Sequence, residues 1–279
     1  MLANRISEKS APDDTDEVDI FESSLLTIFN EVRTQHGEPG HPVTYTSPKF
    51  GKLTLQLADI SKEQTRLFSH HLWNAGVEVA AMIENGEIEM KRQSVIELGA
   101  GAALPSLISA LAGAETVVIT DYPALEILAN ITANINLNAD RLATSTSPKV
   151  YGHTWGALSE PVAQRFQHAF TRIIAADTLW MDWEHENLIA SIIHFLADVA
   201  DARAVVVAGL HTGRRKVANF WDLAVKDGLE IESIKERNVE GVEREYLPDR
   251  GVEDSSERNR WLIIGILKTK KSNSLPNPL

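Results

Sequence analysis

Residues 94–106, Ser-Val-Ile-Glu-Leu-Gly-Ala-Gly-Ala-Ala-Leu-Pro-Ser, constrain this chain more than any other stretch. Residues 95–98 form a short apolar run that reads as a buried strand. Gly99 and Gly101 then mark a turn, and Pro105 suits the first turn of a helix, where its missing N–H costs nothing. Glycine there admits positive φ and lets backbone approach a ligand, while a helix N-terminus directs unpaired N–H groups into the same crevice. A second strand, Thr116-Val-Val-Ile-Thr120, ends in Asp121, 20 residues beyond Gly101. An acid at that offset can accept both hydroxyls of a ribose. A Gly-x-Gly alone fits a structural turn equally well; strand, turn, helix, strand and acid in series point to a nucleotide-type ligand.

Glu97 bears on which nucleotide. A carboxylate at the end of the first strand would oppose a pyrophosphate and suits the amino group of a methionine moiety, which favours S-adenosylmethionine over NAD. The dinucleotide fingerprint also asks for a small residue three beyond the second glycine, and that position is Leu104.

Three segments together, Leu72-Trp-Asn-Ala-Gly76, Glu97-Leu-Gly-Ala-Gly-Ala-Ala-Leu-Pro105 and Thr120-Asp-Tyr-Pro123, resemble the nicotinamide N-methyltransferase-like branch of the seven-β-strand methyltransferases. That branch includes protein-lysine and elongation-factor methyltransferases. The resemblance spans roughly residues 65–268 and implies a Rossmann-like α/β fold, its sheet mostly parallel with an antiparallel last strand, preceded by an N-terminal extension. It implies S-adenosyl-L-methionine as cofactor, held by Glu97, Gly99, Gly101, Asp121 and Tyr122, with Ala176 beside it. It places Trp73 near the methionine end and Trp155 near the adenine, although either tryptophan could be plain core. One departure is Ala103, where the family usually has glycine, so easy access to positive φ is lost.

Composition sets the outer limits. A chain of 279 residues, 43% hydrophobic, can bury one sizeable core. The expected layout is a flexible acidic tail at 1–17, an extension at 18–62, a methyltransferase domain at 63–268 and a loose tail at 269–279. Net charge is −12, which disfavours nucleic acid and favours cationic partners. Arg214-Arg-Lys216 and Lys268-Thr-Lys-Lys271 are the candidate basic patches, read more simply as a solvated helix start and a charged tail. No cysteine is present, so disulfides, thiolate metal sites and a cysteine nucleophile are excluded. No apolar run approaches the roughly 18 residues of a membrane span, and no secretory core is seen at the N-terminus. The expectation is a soluble cytoplasmic protein, also present in the nucleus, that binds no membrane.

Along the chain, Ile20, Phe21, Leu25, Leu26, Ile28, Phe29 and Val32 recur at helical spacing, for core packing or for a heteromeric partner. Residues 37–48 have loop composition, 52–57 alternate like a strand, and 63–84 read as one helix. His70 and His71 are adjacent on that helix and point apart, against a shared metal. Further helices are expected over 124–138, 185–199 and 216–226, and strands over 148–151, 172–177, 204–209, 229–235 and 261–267. Residues 240–260, charged and turn-rich, read as a surface flap. Glu184-His-Glu186 reads as a helix start whose acids suit the dipole rather than as metal ligands.

The fourth strand is chemically decisive. Ligands of such sheets lie outside the carboxyl ends of the strands, so Asp177 and Trp180 should border the transferred methyl group as the catalytic pair, with Trp183 as a second candidate substrate contact. Asp177-Thr-Leu-Trp180 resembles the family's acidic, aromatic motif. His211, at another carboxyl end, could take a proton or simply be a hydrogen-bonded histidine. The leading expectation is N-methylation of a protein lysine or N-terminal amine. A small-molecule methyltransferase acting on a pyridine-like nitrogen or secondary metabolite, and a cofactor-binding subunit of a regulatory complex, are the rivals.

Overall fold

In the computed structural model, residues 2–8, 33–59, 71–142 and 146–270 are described. Of the tail expected at 1–17, residues 9–17 lie outside them, as do the amphipathic segment of residues 18–32, the start of the helix expected from residue 63 and residues 271–279 of the C-terminal tail. Residues 2–8 are instead held to the fold, with Leu2 buried and Ile6, Ser7 and Glu8 paired with residues 43–45. The chain runs through β1 (Ile6–Glu8), β2 (Gln35–His36), β3 (Pro42–Ser47), β4 (Gly51–Gln56) and β5 (Leu72–Trp73) into α1 (Asn74–Glu84). Strand and helix then alternate: β6 (Ser94–Leu98), α2 (Leu104–Leu111), β7 (Thr116–Asp121), α3 (Leu125–Leu137), β8 (Lys149–Gly152), α4 (Pro161–Arg165), β9 (Arg172–Ala176), α5 (His185–Phe195), β10 (Arg203–Gly209) and α6 (Arg214–Lys226). The chain ends through β11 (Leu229–Asn238), β12 (Glu243–Glu245), α7 (Ser255–Arg258) and β13 (Trp261–Thr269).

The main sheet has the order β12-β11-β13-β10-β9-β6-β7-β8. Strands β6 to β10 pair in parallel, and β13 inserts antiparallel between β10 and β11. These are the seven expected strands plus the three-residue edge strand β12. Alternate residues of one strand feed opposite faces: Val117, Ile119, Val205 and Val207 join one core, Val118, Ala204 and Val206 the other. Burial on both faces is why these strands read as unbroken apolar runs. Beyond β6 the next strands are β7 on one side and β9 on the other, so the order reverses there and a crevice opens at the carboxyl ends of β6 and β9.

Several expected boundaries move, each for a physical reason. Residues 37–48 are not all loop: Val43, Tyr45 and Ser47 point inward with a period of two, and β3 pairs with β4. The described part of the long helix begins only at Asn74, because Leu72 and Trp73 pair with β2. Helix α5 stops at Phe195 rather than 199, where Leu196 bridges to Phe170. The charged flap is structured. Glu236, fully buried on an extended β11, accepts from Arg214, Arg244 and Arg250, and Arg214 also clasps Glu253. Arg214 is therefore buried and paired, not a solvated helix start.

The β3–β4 hairpin is fixed to the main sheet by three asparagines at four-residue spacing, two on α3 and the third, Asn138, capping its end. The Asn130 side-chain amide donates to the Gln56 carbonyl at 2.9 Å. The Asn134 oxygen accepts from the Gln56 N–H at 2.6 Å, and its amide donates to the carbonyls of Gln56 and Ala102. Asn138 bonds both the N–H and the carbonyl of Thr54. Spacing of i, i+4 and i+8 puts all three on one face, so the helix supplies the hydrogen bonds a neighbouring strand would. Asn134 is buried and reaches the glycine turn through Ala102. Asn134→Ala leaves the Gln56 N–H and the Ala102 carbonyl unpaired and should cost about 2–3 kcal/mol. Calorimetry should then show Tm lowered by roughly 5–10 °C; a Tm within 1 °C of wild type would mean that water replaces the amide.

Candidate active site

The turn after β6 is built from three positive φ angles, Gly99 at 74°, Gly101 at 53° and Ala103 at 62°. Gly99 also has no room for a side chain: a Cβ would lie 2.9 Å from the Trp155 ring and 3.0 Å from Thr178. At Gly101 the constraint is conformation alone, since the space around it is open. Ala103 adopts the left-handed conformation despite its methyl group, at a cost of roughly 1–2 kcal/mol. Its N–H bonds the Ala100 carbonyl at 2.7 Å.

Strand β7 moulds this turn. The N–H groups of Gly99 and Ala100 both donate to the Thr120 carbonyl, at 3.0 and 3.1 Å. The Asp121 carboxylate accepts from Gly101 N–H at 2.8 Å and from Tyr122 N–H at 2.7 Å. On the other side of the turn, Glu97 accepts from both the N–H and the hydroxyl of Ser106. Ala103, which precedes α2, has no side chain able to cap the helix, so Glu97 satisfies one of its free donors. One of the helix N–H groups expected to face the ligand is thus already taken.

The crevice holds a cavity of about 330 Å³, at the small end of the range for ligand sites. All ten residues expected from the sequence line it: Trp73, Glu97, Gly99, Gly101, Asp121, Tyr122 and Trp155 with Ala176, Asp177 and Trp180. Trp73 and Trp155 are half-buried cavity walls, not plain core. Trp183 is not part of the wall and stands 67% exposed beside it. His71, His153, Thr154, Met181 and Glu184 also line the cavity and were not expected. Position at the carboxyl end of β8 was the available signal for His153, whose ring is held by Glu160 and Ser191 at 2.8 and 3.0 Å. His71 bonds the Gly37 carbonyl, and His185, buried behind the wall, bonds that of Leu179.

Three buried carboxyls stand at the strand ends. Burial pushes Glu97 up to about 8, helped by the neighbouring charge of Asp121 and opposed by Ser106. Burial pushes Asp121 up to about 6 against its two N–H donors. Asp177 is also raised by burial, countered by His211 and the Gly209 N–H. Each is poised to gain from a cation arriving in the cavity.

A Rossmann-like sheet with an acid-locked glycine turn and a cation-favouring cavity at its switch point defines the class of S-adenosylmethionine-dependent methyltransferases. A family model described as lysine methyltransferase matches residues 52–226, and the chain belongs to that family. It is 31% identical over 205 residues to a protein N-terminal and lysine N-methyltransferase, EFM7, of Gibberella zeae, covering 67% of this chain and 74% of that one. It is 34% identical over 182 residues to the Aspergillus fumigatus protein of the same name, covering 63% and 70%. Among solved structures, SMU.776, a putative methyltransferase complexed with SAH, shares the fold with a TM-score of 0.57 at 12% identity, covering 90% of this chain and 66% of that one.

The buried glutamate makes stability depend on pH. The native state keeps a proton on Glu97 up to about pH 8, whereas an unfolded glutamate releases it near 4.3. Between those values the native state binds more protons, so stability contributed by this group falls as pH rises, by about 1.4 kcal/mol per unit. Relative to Glu97→Gln, the ligand-free wild type should lose Tm steadily between pH 6.5 and 8. Parallel curves for the two proteins would exclude a protonated Glu97.

Proposed function

We propose that this chain transfers a methyl group from S-adenosylmethionine to an amine nitrogen of a protein, a lysine side chain or an N-terminal α-amine. The observation that carries the reading is the set of three desolvated carboxyls at the ends of β6, β7 and β9, all facing one cavity. The names of the fungal relatives, protein N-terminal and lysine N-methyltransferases, support the substrate class.

The residues present fit the cofactor. Glu97 has one oxygen committed to Ser106 and the cavity before it, which suits the methionine ammonium. Asp121, fixed by two N–H donors, keeps lone pairs for ribose hydroxyls. Trp155, pressed on Gly99, offers an aromatic face to the adenine, and Tyr122 and Ala176 flank the same space. Trp73 closes the methionine end. When bound, S-adenosylmethionine supplies an electrophilic methyl group. The protein has to align an amine with it, exclude water and accept a proton. Asp177 is the acid on the substrate side, and Trp180 gives an aromatic wall that favours the ammonium form on entry.

We assign residues 63–268 as the catalytic domain and 18–62 as the extension that shapes substrate choice. The heteromeric partner suggested for residues 18–32 remains a proposal, as do indifference to nucleic acid and a cytoplasmic location with a nuclear fraction. Among the described residues no helix is long and apolar enough to cross a membrane.

Titration calorimetry with S-adenosylmethionine, S-adenosylhomocysteine and NAD should give micromolar binding of the first two and none of NAD. Asp121→Ala should weaken it by about 100-fold, the loss of charge-assisted bonds to the ribose. With radiolabelled S-adenosylmethionine in lysate, label should enter a protein band, and Trp180→Ala should slow transfer about tenfold while keeping S-adenosylhomocysteine affinity. Label confined to the small-molecule fraction would sink the protein-substrate reading.

A further inference from the structure

His211 follows β10 and stands directly behind the substrate side of the cavity. Its ring lies parallel to that of Trp73, centroids 4.8 Å apart and planes inclined by 19°. Its Nδ1 is buried, has no hydrogen-bond partner, and lies 4.0 Å from Asp177 Oδ1. A buried polar atom left unpaired costs about 1–3 kcal/mol and calls for a reason. Here the nearest acceptor is about 1 Å beyond hydrogen-bond length.

The backbone keeps that gap open to closure. A Cβ at Gly209 would lie 2.9 Å from His211 Nδ1 and 3.5 Å from Asp177 Oδ1. Gly209 has no positive φ, so close approach rather than conformation is what requires glycine there. Its N–H also donates to Asp177 Oδ1 at 3.0 Å. Asp177 itself sits at φ 58°, an uncommon conformation for a non-glycine residue, held by its own N–H bond to the Val207 carbonyl at 2.7 Å. Strain, a missing side chain and an unpaired ring nitrogen all meet at one acid.

We propose that His211 is a positioning residue for Asp177, the two forming a buried pair that takes up and holds the proton an ammonium substrate must lose before its nitrogen can attack. This rests on the amine-methylation reading above. The ammonium first gives one proton to the Asp177 carboxylate, leaving a neutral amine and a carboxylic acid. Passage of that proton to Nδ1 regenerates the carboxylate beside an imidazolium. The amine lone pair then forms the N–C bond as the C–S bond breaks with its electron pair left on sulfur, so the positive charge moves from sulfur to nitrogen.

Other charged groups around the ring are few among the described residues. His71, ahead of β5, meets the edge of Trp73 at 6.1 Å. Arg258 of α7 donates to the Leu210 carbonyl at 3.1 Å. Arg214, which opens α6, is turned to Glu236 and Glu253. Asp177 is the one carboxylate within 4.0 Å of Nδ1 among the described residues.

His211→Phe keeps an aromatic ring on Trp73 and removes the proton acceptor. Two readouts separate a proton-holding pair from packing. By carboxyl ¹³C NMR of the protein saturated with S-adenosylhomocysteine, Asp177 should titrate about one pH unit higher in the variant, since a favourable neighbouring charge is lost. With a synthetic peptide carrying lysine and a free α-amine, kcat should fall about 100-fold at pH 7 and recover most of that by pH 9.5, with KM for S-adenosylmethionine unchanged. An unmoved Asp177 titration, or the same loss at both pH values, would overturn the proposal. Should His211→Phe fail to fold, His211→Gln carries the same two readouts. A wild type that binds S-adenosylhomocysteine and methylates no amine would count against the amine-methylation reading, while the Asp177 titration would still decide the pairing.

Discussion

The hydrogen bond from Gly101 N–H to the Asp121 carboxylate ties the shape of the cavity to the pairing of the sheet. Residues 99–103 turn through three positive φ angles, one of them on alanine, a conformation they would not hold alone. The N–H groups of Gly99, Ala100 and Gly101 end on the carbonyl of Thr120 and the side chain of Asp121, both at the end of β7. Parallel pairing sets Leu98 opposite Thr120. A slip of one residue would carry Asp121 to the other face and leave the turn without partners. Sheet register and ligand geometry are therefore one constraint, imposed by the apolar packing of β6 and β7 on both faces.

That arrangement has an electrostatic consequence. Glu97, Asp121 and Asp177 lie at the ends of adjacent strands, and desolvation raises each of them toward the neutral form. Without a ligand the cavity opposes its own negative charge. A ligand carrying an ammonium and a sulfonium relieves it, and so does an amine substrate. Selection for cations follows from burial of acids, and the net charge of −12 extends the same preference to longer range.

Much of this was legible from spacing. Strand, glycine turn, helix, strand and acid form a local series whose geometry is fixed within 30 residues, and all ten nominated residues face one cavity. Features that depend on distant partners were not. Glu184 reaches the wall through the segment before α5, which no local pattern announces, and His153 was signalled only by its place just after β8. The β3 strand was hidden by the proline and serine at its ends and the histidine just before it, although Val43, Tyr45 and Ser47 alternate inward. Arg214 read as a surface charge because its compatibility with burial lies in Glu236, 22 residues away.

The same contrast explains how the variable-looking parts of the chain are attached. The β3–β4 hairpin is held to α3 by asparagine side chains acting as a substitute strand, and the segment after β11 by arginines around one buried glutamate. Such contacts are specific in position and weak in sequence signal, because a hydrogen bond needs one partner at one place whereas an apolar face needs only a period. Asn134 shows what this permits: one side chain bonds the hairpin at Gln56 and the glycine turn at Ala102. A displacement of the hairpin must then break the bonds of the same buried side chain that holds the turn. The β3–β4 hairpin is thereby linked to the ligand site through one buried side chain.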